Sequence, residues 1–168
     1  MKKLLVLILM LCSTLAFAYN ERVLGSVQYL ELGSSRTHNL SVVVDVSGNV
    51  MLDADLFMYH LTSADKDSLV AMLNDCLRLI GIAESNKTTI DYQKKLKPVF
   101  MSLSYGYMYA TFTTAGYDHS GMEIQTICGG NNLIMDLGKQ QISDLVAILN
   151  KATSEQDDIA RQIKLFEQ

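Results

Sequence analysis

The chain has 168 residues, 49% hydrophobic and 19% charged, with a formal charge of −4, three cysteines and a single proline. A net-acidic chain without a basic stripe argues against nucleic acid as a partner. The length suits one domain with a substantial core, or two small fused lobes.

The first residues combine Lys2-Lys3, an unbroken apolar run over 4–11 and the small-x-small triplet Ala16-Phe17-Ala18. This is the pattern of a secretory signal spanning 1–18 and cleaved after Ala18, because the run falls short of the ~20 residues a spanning helix needs. Leu11 before Cys12 is too large for lipoprotein-type processing. The expected location is therefore secreted or periplasmic. Cleavage removes Lys2 and Lys3, leaving 12 basic against 18 acidic residues. No later stretch is apolar enough to span a membrane.

One phrase occurs twice and organises the rest. Leu69-Val70-Ala71-Met72-Leu73-Asn74 returns as Leu145-Val146-Ala147-Ile148-Leu149-Asn150, and Leu61 and Leu137 stand eight residues before the respective copies. The expected fold is α+β: tandem duplicated β-β-β-α halves over 19–84 and 99–168, joined by a linker at 85–98. Mainly antiparallel strands would form one six-stranded sheet or two abutting three-stranded sheets, with both repeat helices packed on one face.

In the first half, 22–32 reads as a strand and Leu40, Val42, Val44 and Val46 alternate along a second. Ser47-Gly48-Asn49 is a hairpin signal, after which Val50, Leu52, Ala54, Leu56 and Met58 read as one returning strand. Asp45, Asp53 and Asp55 fall on its solvent side. They are expected to be a solvated outer face rather than a calcium site, since the spacing of a calcium loop is absent. Thr62 and Asp65 have capping-box spacing, and Leu69, Val70, Leu73, Cys76, Leu77 and Ile80 form the buried stripe of the first helix.

The linker gathers Lys94, Lys95 and Lys97 before Pro98, a charged edge that discourages sheet-to-sheet pairing, with a turn of helix around Tyr92 as one option. Residues 99–114 read as one long strand bent at Gly106, with Tyr105, Tyr107 and Tyr109 in a row on one face. Such a row offers rigid apolar area with polar tips for a peptide or glycan, or else covers the edge of a core. Asp118-His119-Ser120 lies in a loop, where three consecutive residues do not converge as a triad does, and His38 and His60 are scattered. Met122, Ile124, Thr126 and Cys128 alternate before the hairpin signal Gly129-Gly130-Asn131-Asn132. Setting Gly130 on Gly48 matches the inward residues of both halves.

Cys76 and Cys128, one per half, are expected to form a disulfide in an oxidising compartment, worth about 4 kcal/mol on a chain-entropy basis; two buried thiols are the alternative. From Lys139 to the end, Ile142, Leu145, Leu149, Ala152, Gln156, Ile159, Ile163 and Phe166 recur in steps of three and four. Thr153-Ser154 with Asp157 is expected to break and re-cap this helix, folding its last turns back. If it stays continuous, Ile159, Ile163 and Phe166 present a partner-binding or homodimer surface.

No metal or cofactor motif stands out. The functional expectation is an exported, non-enzymatic binding or protein-interaction module of adaptor, chaperone or inhibitor type, whose partner is another protein, a peptide or a glycan. The alternatives are a small exported hydrolase using His119 or His60 with a nearby carboxylate, and a structural envelope component.

Overall fold

A computed structural model describes residues 21–34, 36–54, 57–116 and 118–166, apart from the side chains of Ile163 and Phe166. The expected signal segment with its cleavage site at Ala18 lies outside the described residues. So do Asp55, Leu56 and Tyr117.

The order is β1 (Glu21–Glu31), β2 (Arg36–Asp45), β3 (Val50–Ala54), β4 (Phe57–Leu61), α1 (Ser63–Ser85), β5 (Asp91–Lys95), β6 (Val99–Met101), β7 (Gly106–Ala115), β8 (Ser120–Cys128), β9 (Asn131–Gly138) and α2 (Lys139–Phe166). The fold is α+β, with nine strands in one antiparallel sheet ordered β4-β3-β2-β1-β9-β8-β7-β5 and β6 pairing beside β5 on β7. The six-strand expectation undercounts for identifiable reasons. The stretch 50–58 is a hairpin of β3 and β4, pairing Ala54 with Phe57. The stretch 99–114 is a hairpin too, and the expected linker holds β5. Four strands precede α1 and five lie between α1 and α2, so the halves do not match strand for strand.

Alternation along the strands sends one parity inward under the helices. Val42, Val44, Val50, Leu52, Met108, Phe112, Ile124 and Met135 join Leu69, Leu73 and Ile80 of α1 and Ile142, Leu145 and Leu149 of α2 in one core cluster. Both copies of the repeated phrase thus bury their leucines against the same sheet face, the non-directional gain expected of amphipathic helices. The sheet curls around this core until its ends approach. The Tyr59 hydroxyl on β4 lies 2.6 Å from the Thr126 hydroxyl on β8, with four strands between them in sheet order, and the His60 amide donates to Ser104 Oγ at 2.8 Å.

The capping box of α1 is complete. Asp65 N–H donates to Thr62 Oγ1 and Thr62 N–H to Asp65 Oδ2, each at 3.1 Å. The same carboxylate accepts from the Ser102 amide (3.1 Å) and hydroxyl (2.6 Å) in the turn after β6, tying the helix start to the far half.

Contrary to the expected break at Thr153-Ser154, α2 runs without interruption. The reason is tertiary. Ser154 Oγ donates back to the Lys151 carbonyl at 2.8 Å instead of capping a new start, and Ala152 is fully buried. The buried Lys66 ammonium donates to Thr153 Oγ1 at 2.5 Å, Gln156 Nε2 donates to the Gly48 carbonyl at 2.7 Å, and Arg22 pairs with Glu155 at 2.8 Å. Packing continues to Ile159, which is half-buried against the core and close to Gly48. Beyond it the described side chains are open to solvent, with Leu165 70% exposed. Among the described residues no helix is long and apolar enough to cross a membrane.

Candidate functional site

The face of the sheet away from the helices carries the densest exposed aromatic surface. It is built by the hairpin of β6 and β7, whose turn spans 102–105 and is closed by the Ser104 amide donating to the Met101 carbonyl at 3.2 Å. The turn reverses the inward parity. Val99 and Met101 are buried on β6, and the even residues Met108, Ala110 and Phe112 are buried on β7. Phe100, Tyr107 and Tyr109 therefore point outward together.

Phe100 and Tyr107 are cross-strand partners, with ring centroids 5.0 Å apart, and Tyr107 stacks on Tyr109 at 5.7 Å. These are contacts of the kind that add to plain burial. Ile127 stands opposite Tyr107 on β8 and is also exposed, extending the strip. Gly106 makes the approach possible: a Cβ there would sit 2.6 Å from the Ile127 carbonyl oxygen.

Polar groups border the strip. Gln125, opposite Tyr109, donates to Asn132 Oδ1 at 3.0 Å. One row further on, Glu123 of β8 stands directly opposite Asp136 of β9. Burial raises the Asp136 carboxyl above the ordinary carboxylate range, against the opposing pull of the Leu137 amide.

Phe100 also forms one wall of a groove of about 410 Å³ between α1 and 96–100, floored by Met72, Leu96 and Val99 and edged by Asp65, Ser68 and Asp75. Burial alone would raise the Asp65 carboxyl, but hydrogen bonds from Ser102 and Thr62 outweigh it and hold the group below its ordinary value.

Of the expected site residues, Tyr107 and Tyr109 come together, while Tyr105 does not join them. It occupies the turn with φ of 49° and is 86% exposed. Ile159 packs on the body, and the side chains of Ile163 and Phe166 lie outside the described residues. Phe100 and Ile127 were not legible as partners until the turn was placed, because only the hairpin register sets them against Tyr107.

The expected disulfide is absent: Cys76 and Cys128 are both free. Cys76 Sγ lies 3.8 Å from the Gly121 carbonyl at the start of β8. Cys128 ends that strand seven residues on, roughly 23 Å away at about 3.3 Å per residue. A bridge needs Cα atoms within about 7 Å. Burial pushes the Cys76 thiol up to about 12, so it behaves as a small core hydrophobe. Cys128 Sγ donates to the Ser104 carbonyl at 2.7 Å and steadies the β6–β7 turn.

The histidines of the hydrolase alternative are separate. His60 is exposed on β4. His119 sits at the tip of the β7–β8 hairpin, its Nδ1 3.0 Å from Asp118 Oδ1 with both side chains open to solvent, beside a depression of about 490 Å³ that also touches Asp91 and Glu123. The His119 contact lowers the Asp118 carboxyl. Asp45 accepts from the Ser47 and Asn49 amides, each at 2.8 Å, so it closes its own turn. Among the described residues no group of three metal-ligating side chains gathers.

The chain matches no protein family, no curated protein and no solved structure.

Proposed function

We propose that this is an exported, non-enzymatic binding module whose contact surface is the outer face of β6–β9, centred on Phe100, Tyr107, Tyr109 and Ile127. The carrying observation is that these four large apolar side chains sit side by side in solvent, on strands whose opposite face is packed to completion. Rigid rings with few torsions give contact area at small entropic cost, which is why aromatic residues dominate binding hot spots. The projecting end of α2 supports a second contact, through which a homodimer would form. Export rests on the pattern of 1–18, and descent from a copied unit rests on the repeated leucine-valine phrase and on a meander followed by a helix in each half.

The test is recovery of partners from the native envelope with tagged protein. Tyr107→Ala combined with Tyr109→Ala should abolish recovery while leaving the urea midpoint nearly unchanged. Removal of residues 160–168 separates the helix contribution. If both variants recover what the parent recovers, the proposal fails.

A hydrolase centred on His119 is the second reading, favoured by the Asp118–His119 pair beside an open depression. An esterase, peptidase and glycosidase substrate screen that responds to His119→Ala would support it.

A further inference from the structure

Beside the aromatic strip the sheet places two like charges where strand pairing holds them together. Glu123 and Asp136 are direct cross-strand partners, so their Cβ atoms lie about 5 Å apart and their carboxylates repel. Among the described residues neither forms an ion pair; the ion pairs of this chain lie elsewhere. On β7, Thr111 faces Glu123, and on β1, Leu30 faces Asp136. The immediate cross-strand neighbours are thus uncharged, and the next cation in the row is Lys95 of β5, opposite Thr111, which among the described residues forms no ion pair with Glu123 or Asp136.

Tyr109 is the diagonal neighbour of Glu123, about 7–8 Å away. An aromatic face and a pair of carboxylates consequently share one flat, half-exposed surface. Like charges directly opposite on paired strands are destabilising, and a bound cation would relieve that cost.

Three chemistries suit an aromatic strip. A neutral glycan would use the rings and amides but leave the repulsion in place. A lysine ammonium would neutralise the charge as a compact, strongly hydrated point. A guanidinium does both jobs, stacking flat on a tyrosine while its fork of N–H donors bridges carboxylates.

Building on the proposed binding surface, we infer that the outer face of β7–β9 takes an arginine-bearing segment of a partner protein, with a guanidinium seated on Tyr109 and bridging Glu123 and Asp136. Phe100, Tyr107 and Ile127 then receive the apolar residues next to that arginine.

The test uses a fluorescein-labelled hexa-arginine peptide and the exported chain, read by anisotropy at near-physiological salt, with hexa-lysine and chitohexaose as competitors. Hexa-arginine should bind and hexa-lysine should compete poorly. Glu123→Gln with Asp136→Asn should weaken binding about tenfold or more, in line with loss of charge-assisted hydrogen bonds. Asp157→Asn with Asp158→Asn makes the same charge change on the projecting helix and should leave binding within about twofold, as expected of exposed charges that touch no ligand. Tyr109→Ala should weaken hexa-arginine and bring it level with hexa-lysine.

The inference is overturned if the two amide pairs weaken binding equally, if neither does, or if chitohexaose displaces the peptide. Envelope recovery separates its failure from that of the parent proposal. Loss of partners with Tyr107→Ala and Tyr109→Ala, but not with Glu123→Gln and Asp136→Asn, keeps the surface and removes the arginine. Retention with both sets removes the surface itself.

Discussion

The two faces of β7–β9 are made by the same three strands and do opposite things. On the inner face Phe112, Met122, Ile124 and Met135 are almost wholly withdrawn from water beneath the helices. On the outer face Tyr107, Tyr109 and Ile127 stay in it, with no element of the described chain over them. Because side chains alternate along a strand, adjacent residues serve different ends. Stability belongs to the even residues of β7 and the proposed recognition to the odd ones, and truncations on neighbouring residues separate the two.

The largest difference is expected within β7 itself. Phe112→Ala should cost about 3–5 kcal/mol, the range for removing a packed aromatic side chain. Tyr109→Ala, three residues earlier and 42% exposed, should cost less than about 1 kcal/mol, chiefly its stacking on Tyr107. Urea midpoints of the two variants decide this, and equal midpoints would dissolve the contrast.

Next comes the polar contact inside the core. Tyr59→Phe removes the 2.6 Å bond to Thr126 and leaves a buried hydroxyl with poorer partners. A loss of about 1–2 kcal/mol follows from an unmet buried polar group, read as a lower thermal midpoint. Thr126→Val in the same background should recover part of it.

Asp65 gives a smaller, pH-dependent effect. Its folded carboxyl binds protons less readily than the unfolded one, so its contribution is full above the ordinary carboxylate range and disappears as pH falls through the lower folded value. Stability measured from pH 6 to pH 2 should fall less steeply in Asp65→Asn than in the parent. Asp136 has the opposite sign. Burial raises its carboxyl, so the ionised form costs stability above the ordinary range, and that cost fades as pH falls below it. Asp136→Asn should raise the thermal midpoint slightly at pH 7 and leave it unchanged near pH 3. A gain in stability coupled to a loss of peptide binding is what a charge kept for recognition produces.

Legibility in the sequence followed the strength of local chemistry. Gly48 adopts φ of 82°, and Gly129 and Gly130 adopt 58° and 86°. Turns that demand such angles announce themselves through glycine, and the hairpins they close stand where expected. The helices were legible because their leucine stripes have only one apolar period. The β6–β7 turn was not, because Ser102-Leu103-Ser104-Tyr105 alternates like a strand and Tyr105 takes its left-handed angle without being glycine. Missing that turn put Val99 and Tyr107 on one face, when the structure sends them to opposite ones. The cysteine pair misled for another reason: compartment chemistry favours a bond, but the full length of β8 lies between the thiols. Thr153-Ser154 looked like a helix stop, and contacts from Lys66, Gly48 and Arg22 override it.

The proposed contact at the aromatic strip is tested most directly by a photo-reactive phenylalanine derivative placed at Tyr107, with a second protein carrying it at Gln28, elsewhere on the outer face, on β1. Irradiated in the native cell, the first should yield a discrete higher-mass adduct containing a partner protein, and the second should yield none. Adducts of equal yield at both positions, or an adduct at Gln28 alone, would contradict the assignment of recognition to the aromatic face.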